Sequence, residues 1–366
     1  MIACFLFFSL FFFFLLRSFN GFFLCRLLGI HAFGHGVGGL GRQGRENNLK
    51  IAFLSCFFIF EIQTLMSNIG ALNLFKMKNL FVFLCLCISI STQAQTKPLR
   101  IIFIGAHPDD CDIKGGGTAA LFVEMGHQVK FLSVTNGDAG HQSQGGGMLA
   151  KRRIAETKEV AKRLGVSYDV LDNHDGELLP TLEIRLQIIR KIREWKADVV
   201  IAPRSNDYHP DHRYTGVLVQ DAAFMVGVPN VAPDVEPLRK NPVFLYFQDN
   251  FKKPNPFQAD IAVDITPVIE KKLAGLDAHQ SQFYEWLPWV GNYEEEVPKD
   301  PAKYKAYLLQ KRVSKPNADV QKSLEKWYGA TRALKAIYAE AFEICEYGTQ
   351  PTEADIRRLF PMLKAD

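Results

Sequence analysis

The 366 residues carry 43 Lys and Arg against 39 Asp and Glu, but composition and charge change sharply near residue 95. Of the 29 Phe, 18 precede that point, as do 7 of the basic and 2 of the acidic residues, so the remainder is close to neutral at 36 against 37. That balance argues against a nucleic-acid partner, which needs a basic field to neutralise phosphates. With only Cys111 and Cys345 left after residue 95, a disulfide scaffold is excluded too, and a chain of this length can bury its own core.

Residues 1–76 are Phe-rich and aperiodic and read in one of two ways: an over-extended translation with no structural role, or a membrane-inserted leader whose apolar start is residues 2–16. From Met77 the pattern is that of a secretory signal peptide, 77–94. Lys78 is its basic start, residues 80–90 are the apolar run, and Thr92 and Ala94 are the small residues before the cut. The run is shorter than the roughly 20 residues needed to span a bilayer, so the mature protein is expected to start near Gln95, to be secreted or periplasmic, and to hold no stable membrane span. Residues 95–366 are read as one domain with a C-terminal helical extension from about 286.

Regular elements begin at Leu99. Residues 100–105 read as a strand, followed by a Gly-bearing turn and a helical stretch over 118–125. A second strand over 129–135 precedes a helix over 148–164, closed by Gly165 in the position favoured for a left-handed C-cap. Residues 168–171 form a third strand, 182–195 a helix with apolar residues at helical spacing, and 198–202 a fourth, continuously apolar strand of the kind buried in parallel sheets. Strands are expected again over 243–247 and 261–265, helices over 267–284 and 320–343, and a loop over 286–305. The alternation predicts an α/β fold: a Rossmann-like, doubly wound, mainly parallel sheet with helices on both faces, its crevice beyond the carboxyl ends of the strands.

Two clusters fall at such ends. Ala106-His107-Pro108-Asp109-Asp110 follows the first strand and Tyr208-His209-Pro210-Asp211-His212 follows the fourth. Either one alone reads as a turn, because Pro and Asp favour turns for conformational reasons. Both together, rich in imidazole and carboxylate, fit a hydrolytic Zn2+ or another divalent metal, which takes three protein ligands and leaves one position open. His107, Asp110 and His212 suit the ligand set. Asp109 is then the general base toward the attacking water, and His209, held protonated by Asp211, stabilises the developing oxyanion, with Tyr208 as a further donor.

These motifs resemble those of the PIG-L/LmbE-type zinc-dependent de-N-acetylases, which act on N-acetylglucosaminyl conjugates, and the similarity spans about residues 99–285. The resemblance implies a Rossmann-like fold, zinc on His107, Asp110 and His212, a base at Asp109 and an oxyanion imidazole at His209. It further implies that the loop Thr135-Asn136-Gly137-Asp138 and Arg153 of an Arg-x-x-Glu helix reach substrate, Asp138 included. The late run His279-Gln280-Ser281-Gln282 is implied to lie near the pocket, with His279 as a contact. Asp175-Gly176 is a further sugar contact or a plain turn. One departure is plain: the family has Glu after the Asp pair, whereas this chain has Cys111 and then Asp112, so Cys111 is read as packing. Gly115-Gly116-Gly117 matches neither a dinucleotide fingerprint nor a P-loop and reads as a close-packed helix start, and residues 145–147 as a loop bordering the site.

The expected function is a zinc-dependent hydrolase that removes an N-acyl group from a small N-acylated amino sugar or glycoconjugate. An amidase on a larger acyl or thiol conjugate and a catalytically silent sugar-binding module are the alternatives. Trp286, Trp289 and Tyr293 serve either as a sugar subsite or as packing.

Overall fold

A computed structural model describes residues 97–364; the segments read as an upstream extension and a signal peptide lie outside the described residues. Among the described residues no helix is long and apolar enough to cross a membrane. Strands β1 (Arg100–Gly105), β2 (Gln128–Ser133), β3 (Ser167–Val170), β4 (Val199–Ala202) and β5 (Val243–Phe247) alternate with helices α1 (Asp110–Glu124), α2 (Gly146–Leu164), α3 (Leu182–Trp195) and α4 (Pro210–Met225). They pair in parallel in the order β3-β2-β1-β4-β5, and the sheet is completed by β7 (Ala339–Gly348) and β6 (Ile261–Asp264). The order reverses between β1 and β4, which lie side by side with Ile101 opposite Val199. A crevice forms at such a switch point, and it is there that the two His-Pro-Asp loops emerge.

Alternation along β1 divides the core. Ile101 and Phe103 face a layer containing Phe122 of α1 and Val160 and Leu164 of α2, while Ile102 and Ile104 face Ile188, Ile189 and Ile192 of α3 and Leu218 and Ala222 of α4. Helix α2 stops where expected, at Gly165 with φ of 72°. The far end of α4 is fixed by Arg193 of α3, whose buried guanidinium donates to the carbonyls of Met225, Val226, Val228, Val231, Ala232 and Val235 and so satisfies a helix terminus that would otherwise be orphaned.

Three expectations are corrected. Helix α1 begins at Asp110 rather than near Thr118, so Gly115 to Gly117 lie inside it; a Cβ on Gly115 would meet the Phe103 ring at 2.4 Å and one on Gly117 the Ile265 side chain at 2.8 Å. The residues of the 286–305 stretch are partly helical, with α6 at Leu287–Gly291 after α5 (Ile269–Asp277), and α7 at Tyr304–Arg312 follows it. The helix read over 320–343 is really α8 (Ala318–Tyr328), ended by Gly329 with φ of 82°, then a single turn and β7.

Strand β7 runs antiparallel to both neighbours, with Phe342 opposite Phe247 on one side and Ile261 on the other. It also delivers Glu340 to α1. That buried carboxylate accepts the backbone N–H groups of Gly117 at 2.9 Å and Thr118 at 2.7 Å and pairs with buried Lys272 of α5 at 2.6 Å, while Lys272 donates to the Ile113 carbonyl at 2.7 Å. The pair thus grips the backbone in the middle of α1 and fixes the helix whose first residue is Asp110.

Candidate active site

Asp110 stands at the first position of α1, where a helix N-terminus favours an anion. Its Oδ2 accepts the backbone N–H groups of Ala106 and His107, both at 2.8 Å, which leaves Oδ1 facing His212 Nε2 at 3.4 Å. Burial alone would raise its pKa, but the charge on His212 and hydrogen bonds with His107 and His212 hold the carboxyl well below the usual range.

The two imidazoles are oriented by carboxylates on their far sides. His107 Nε2 lies 3.0 Å from Asp175 Oδ1 and 3.2 Å from Asp211 Oδ2, and His212 Nδ1 lies 3.0 Å from Asp207 Oδ1. His107 Nδ1 and His212 Nε2 face each other at 3.2 Å, each offering a lone pair when the ring is neutral with its proton on the carboxylate side, and Asp110 Oδ2 sits 3.6 Å from His107 Nδ1. Two ring nitrogens this close, with a carboxylate beside them, are placed to share a cation. Burial would push both imidazole pKa values down, yet the surrounding carboxylates lift His107 well above its ordinary value and His212 to about 9.

The set also fits a metal in its spacing. Donors about 2.0–2.1 Å from a tetrahedral zinc lie roughly 3.3 Å from one another, and imidazoles whose other N–H meets a carboxylate are the usual arrangement around such ions. The three expected ligands therefore converge. Two other donor groups share His107: one with His209 and His212, and one with Asp175 and Asp211 through the opposite ring nitrogen. Since Asp211 Oδ2 also accepts the Gly176 N–H at 2.7 Å, the Asp175–Asp211 pair orients His107 instead.

Asp109, also buried, is raised by burial and pulled back by Arg153, whose Nη2 is 3.3 Å from its Oδ1. Arg153 is 2 % exposed and donates to the Pro108 carbonyl at 2.9 Å, so it holds the Asp109 loop from within rather than facing outward as a substrate contact. His209 caps α4, its Nδ1 accepting the Asp211 N–H at 3.2 Å, and its ring meets that of His107 edge-on at 4.6 Å. The expectation that Asp211 holds it protonated is corrected: the fully buried Asp211 carboxylate turns Oδ2 to His107 and Gly176, and burial together with His107 and His212 lowers the His209 pKa. With Nδ1 accepting that N–H, a neutral His209 ring carries its proton on Nε2, and Asp211 contacts His107 rather than His209. Tyr208 is 73 % exposed at the mouth, its ring edge-on to His209 and His212.

Two further expectations change. Asp138 is buried beneath the β3 loop, accepting the Asp175 N–H at 3.0 Å and lying 2.6 Å from His174 Nδ1, so it supports Asp175. His279 is wholly buried 3.2 Å from Asp112 Oδ2, which the Tyr168 hydroxyl also reaches, and cannot touch a ligand. The late motif meets the helix motif instead, the Ser281 N–H and hydroxyl donating to Glu156 at 2.8 and 2.7 Å. Cys111 packs as read, fully buried with its Sγ toward the Leu132 carbonyl. The sequence reading overlooked Asp207, whose signal was local: it stands five residues before His212 and caps the same turn, accepting the His209 N–H at 3.0 Å.

Residues 102–223 match the family described as PIG-L, GlcNAc-PI de-N-acetylase. The chain is 36 % identical over 203 residues to the diacetylchitobiose deacetylase of Thermococcus kodakarensis, covering 52 % of this chain and 73 % of that one. It is 27 % identical to the mycothiol S-conjugate amidase of Streptomyces coelicolor over 43 % of this chain and 64 % of the relative. Among solved structures, the N,N'-diacetylchitobiose deacetylase of Pyrococcus horikoshii superposes with a TM-score of 0.50 at 26 % identity, covering 76 % of this chain and 95 % of that one. With the two loops converging at the switch point of the sheet, these likenesses make the chain a member of the PIG-L family of de-N-acetylases.

Proposed function

We propose that this protein is a zinc-dependent N-deacetylase that releases acetate from an N-acetylated amino sugar or its glycoconjugate. The observation that carries the reading is the 3.2 Å approach of His107 Nδ1 and His212 Nε2, with Asp110 beside them and Asp109 adjacent. His107, Asp110 and His212 would hold the cation, which when bound supplies Lewis acidity toward the amide oxygen and acidity to a bound water. The relatives named as deacetylases of N-acetylated sugars support the substrate class.

The chain's own residues divide the proton work. Asp109, whose pKa burial raises from its ordinary value, takes a proton from water as its oxygen attacks the acetyl carbon. His209 donates its Nε2–H to the carbonyl oxygen as that oxygen gains charge, and exposed Tyr208 is placed to add a second donor from the mouth. As the C–N bond breaks, the proton on Asp109 passes to the leaving nitrogen, so one water is consumed and acetate and an amine are released. Arg153 holds Asp109 in place, and Asp175 and Asp211 fix the tautomer of His107.

Acetate release from N-acetylglucosamine derivatives tests the proposal. Asp109→Asn is expected to retain metal and fold but lose about 10²–10⁴-fold in turnover, and His107→Ala to lose the metal; full activity in both variants rejects the reading. An amidase acting on a larger conjugate is the second reading, favoured by the likeness to the mycothiol S-conjugate amidase, and is separated by the same assay run on both substrate classes. Export after cleavage near Ala94 is part of the proposal, checked by sequencing the N-terminus of the native protein.

A further inference from the structure

A long irregular connection at the catalytic end of the sheet supplies no group to the hydrolytic machinery, yet it is fastened to both elements that do. Residues 248–260 leave the carboxyl end of β5, which pairs in parallel with β4, and return to β6. Lys114, one turn beyond Asp110 in α1, donates its Nζ–H to the Gln248 carbonyl at 3.0 Å. From the loop after β4, which carries Asp207, Tyr208 and His209, the Asn206 amide donates to the Lys253 carbonyl.

The strongest tie is Arg204 of the same loop, only 8 % exposed. Its Nε and Nη2 donate to the two oxygens of Asp249, each at 2.6 Å, and its Nη1 and Nη2 donate to the carbonyls of Asn255 and Phe251, each at 3.0 Å. The Arg204 backbone is held from the other side by α4, where Gly216 approaches so closely that a Cβ would lie 2.7 Å from the Arg204 carbonyl. A buried guanidinium–carboxylate pair adds little net stability over apolar packing, whereas its two parallel bonds impose a geometry. What Arg204 defines is therefore the path of residues 249–255.

That path delivers Phe251 to the mouth of the site. Its ring centroid lies 6.4 Å from that of Tyr208, within the range over which aromatic pairs attract, and the Tyr208 ring in turn stands edge-on to His212 at 5.6 Å and His209 at 5.8 Å. Tyr208 is 73 % exposed, and a side chain so exposed changes rotamer freely unless a neighbour restrains it. A donor toward a developing oxyanion acts through being fixed beforehand. We infer that Arg204 and Phe251 are positioning residues: Arg204 sets the course of residues 249–255 so that Phe251 braces the Tyr208 ring beside His209 and His212. The inference rests on the deacetylase reading and its donor at Tyr208, and extends the working parts of the site to a segment outside both His-Pro-Asp loops.

Two measurements on the intact protein decide it: kcat and KM for acetate release from N-acetylglucosamine, and 19F NMR of protein labelled with 3-fluorotyrosine, in which the Tyr208 line is assigned by its loss in Tyr208→Phe. Phe251→Ala is expected to lower kcat about two- to tenfold with KM little changed, and to cost nothing further in a Tyr208→Phe background. Phe251→Tyr, which keeps a ring, should restore kcat, and Arg204→Met should act in the same direction as Phe251→Ala. The Tyr208 line should shift and sharpen in Phe251→Ala. Should Arg204→Met fail to fold, Phe251→Ala leaves the buried pair intact and carries the test. An unmoved Tyr208 line in Phe251→Ala overturns the brace whatever the kinetics, and an equal loss of kcat with and without the Tyr208 hydroxyl overturns its part in the reaction. If the native protein releases no acetate, the deacetylase reading falls while the Tyr208 line still judges the brace.

Discussion

Replacing Arg153 with Met keeps most of the aliphatic stem and deletes a buried guanidinium 3.3 Å from Asp109 Oδ1. Burial raises the Asp109 pKa and the Arg153 charge draws it back, so without that charge the carboxyl rises further. A neighbouring Arg lowers an Asp pKa by about 1–3 units. As a base Asp109 works only when ionised, so activity is lost as pH falls through its pKa, and in Arg153→Met that acid limb should lie about 1–3 pH units higher than in the native protein. The assay is the pH dependence of kcat for acetate release, run well below the melting temperature, because removing one member of a buried pair also costs about 3–5 kcal/mol of stability. Arg153→Lys, which keeps a charge, should move the limb less. An acid limb that stays in place, or moves to lower pH, in a folded Arg153→Met protein refutes Asp109 as the base.

Asp211→Asn should leave the protein folded but weaken metal binding about 10–100-fold, since the Asp211 carboxylate orients His107 from behind; calorimetric titration with Zn2+ measures it. Lys272→Met should cost about 3–5 kcal/mol by leaving Glu340 buried without its cation, seen as a lower denaturation midpoint, while Lys272→Met with Glu340→Leu should recover part of the loss. Gly117→Ala should destabilise by roughly 1–3 kcal/mol, because its methyl would press on Ile265, and thermal melting reads the effect.

Much of the scaffold was legible because it depends on local pattern. The apolar runs of β1 and β4, the helical spacing of α3 and the glycine that ends α2 are written within a few residues of where they act. So was the meeting of the two His-Pro-Asp loops, since a doubly wound sheet brings the ends of β1 and β4 together whatever their separation in sequence. Strand β7 was not legible: Glu340, Glu343 and Glu346 recur every third residue as on an exposed helix, and only the distant Lys272 and the N–H groups of α1 explain why Glu340 is buried. The same holds for the site's supporting residues. Arg153, Asp138, Asp211 and His279 have the chemistry of ligand contacts, and what separates a contact from a support is direction, which three-dimensional packing sets.

Titrating metal-depleted protein with Zn2+ while following both bound metal and acetate release bears most directly on the account. It predicts that turnover returns in proportion to one equivalent of metal and that His212→Ala neither binds that equivalent nor recovers. Undiminished acetate release from the metal-depleted protein, or full recovery in His212→Ala, would contradict it.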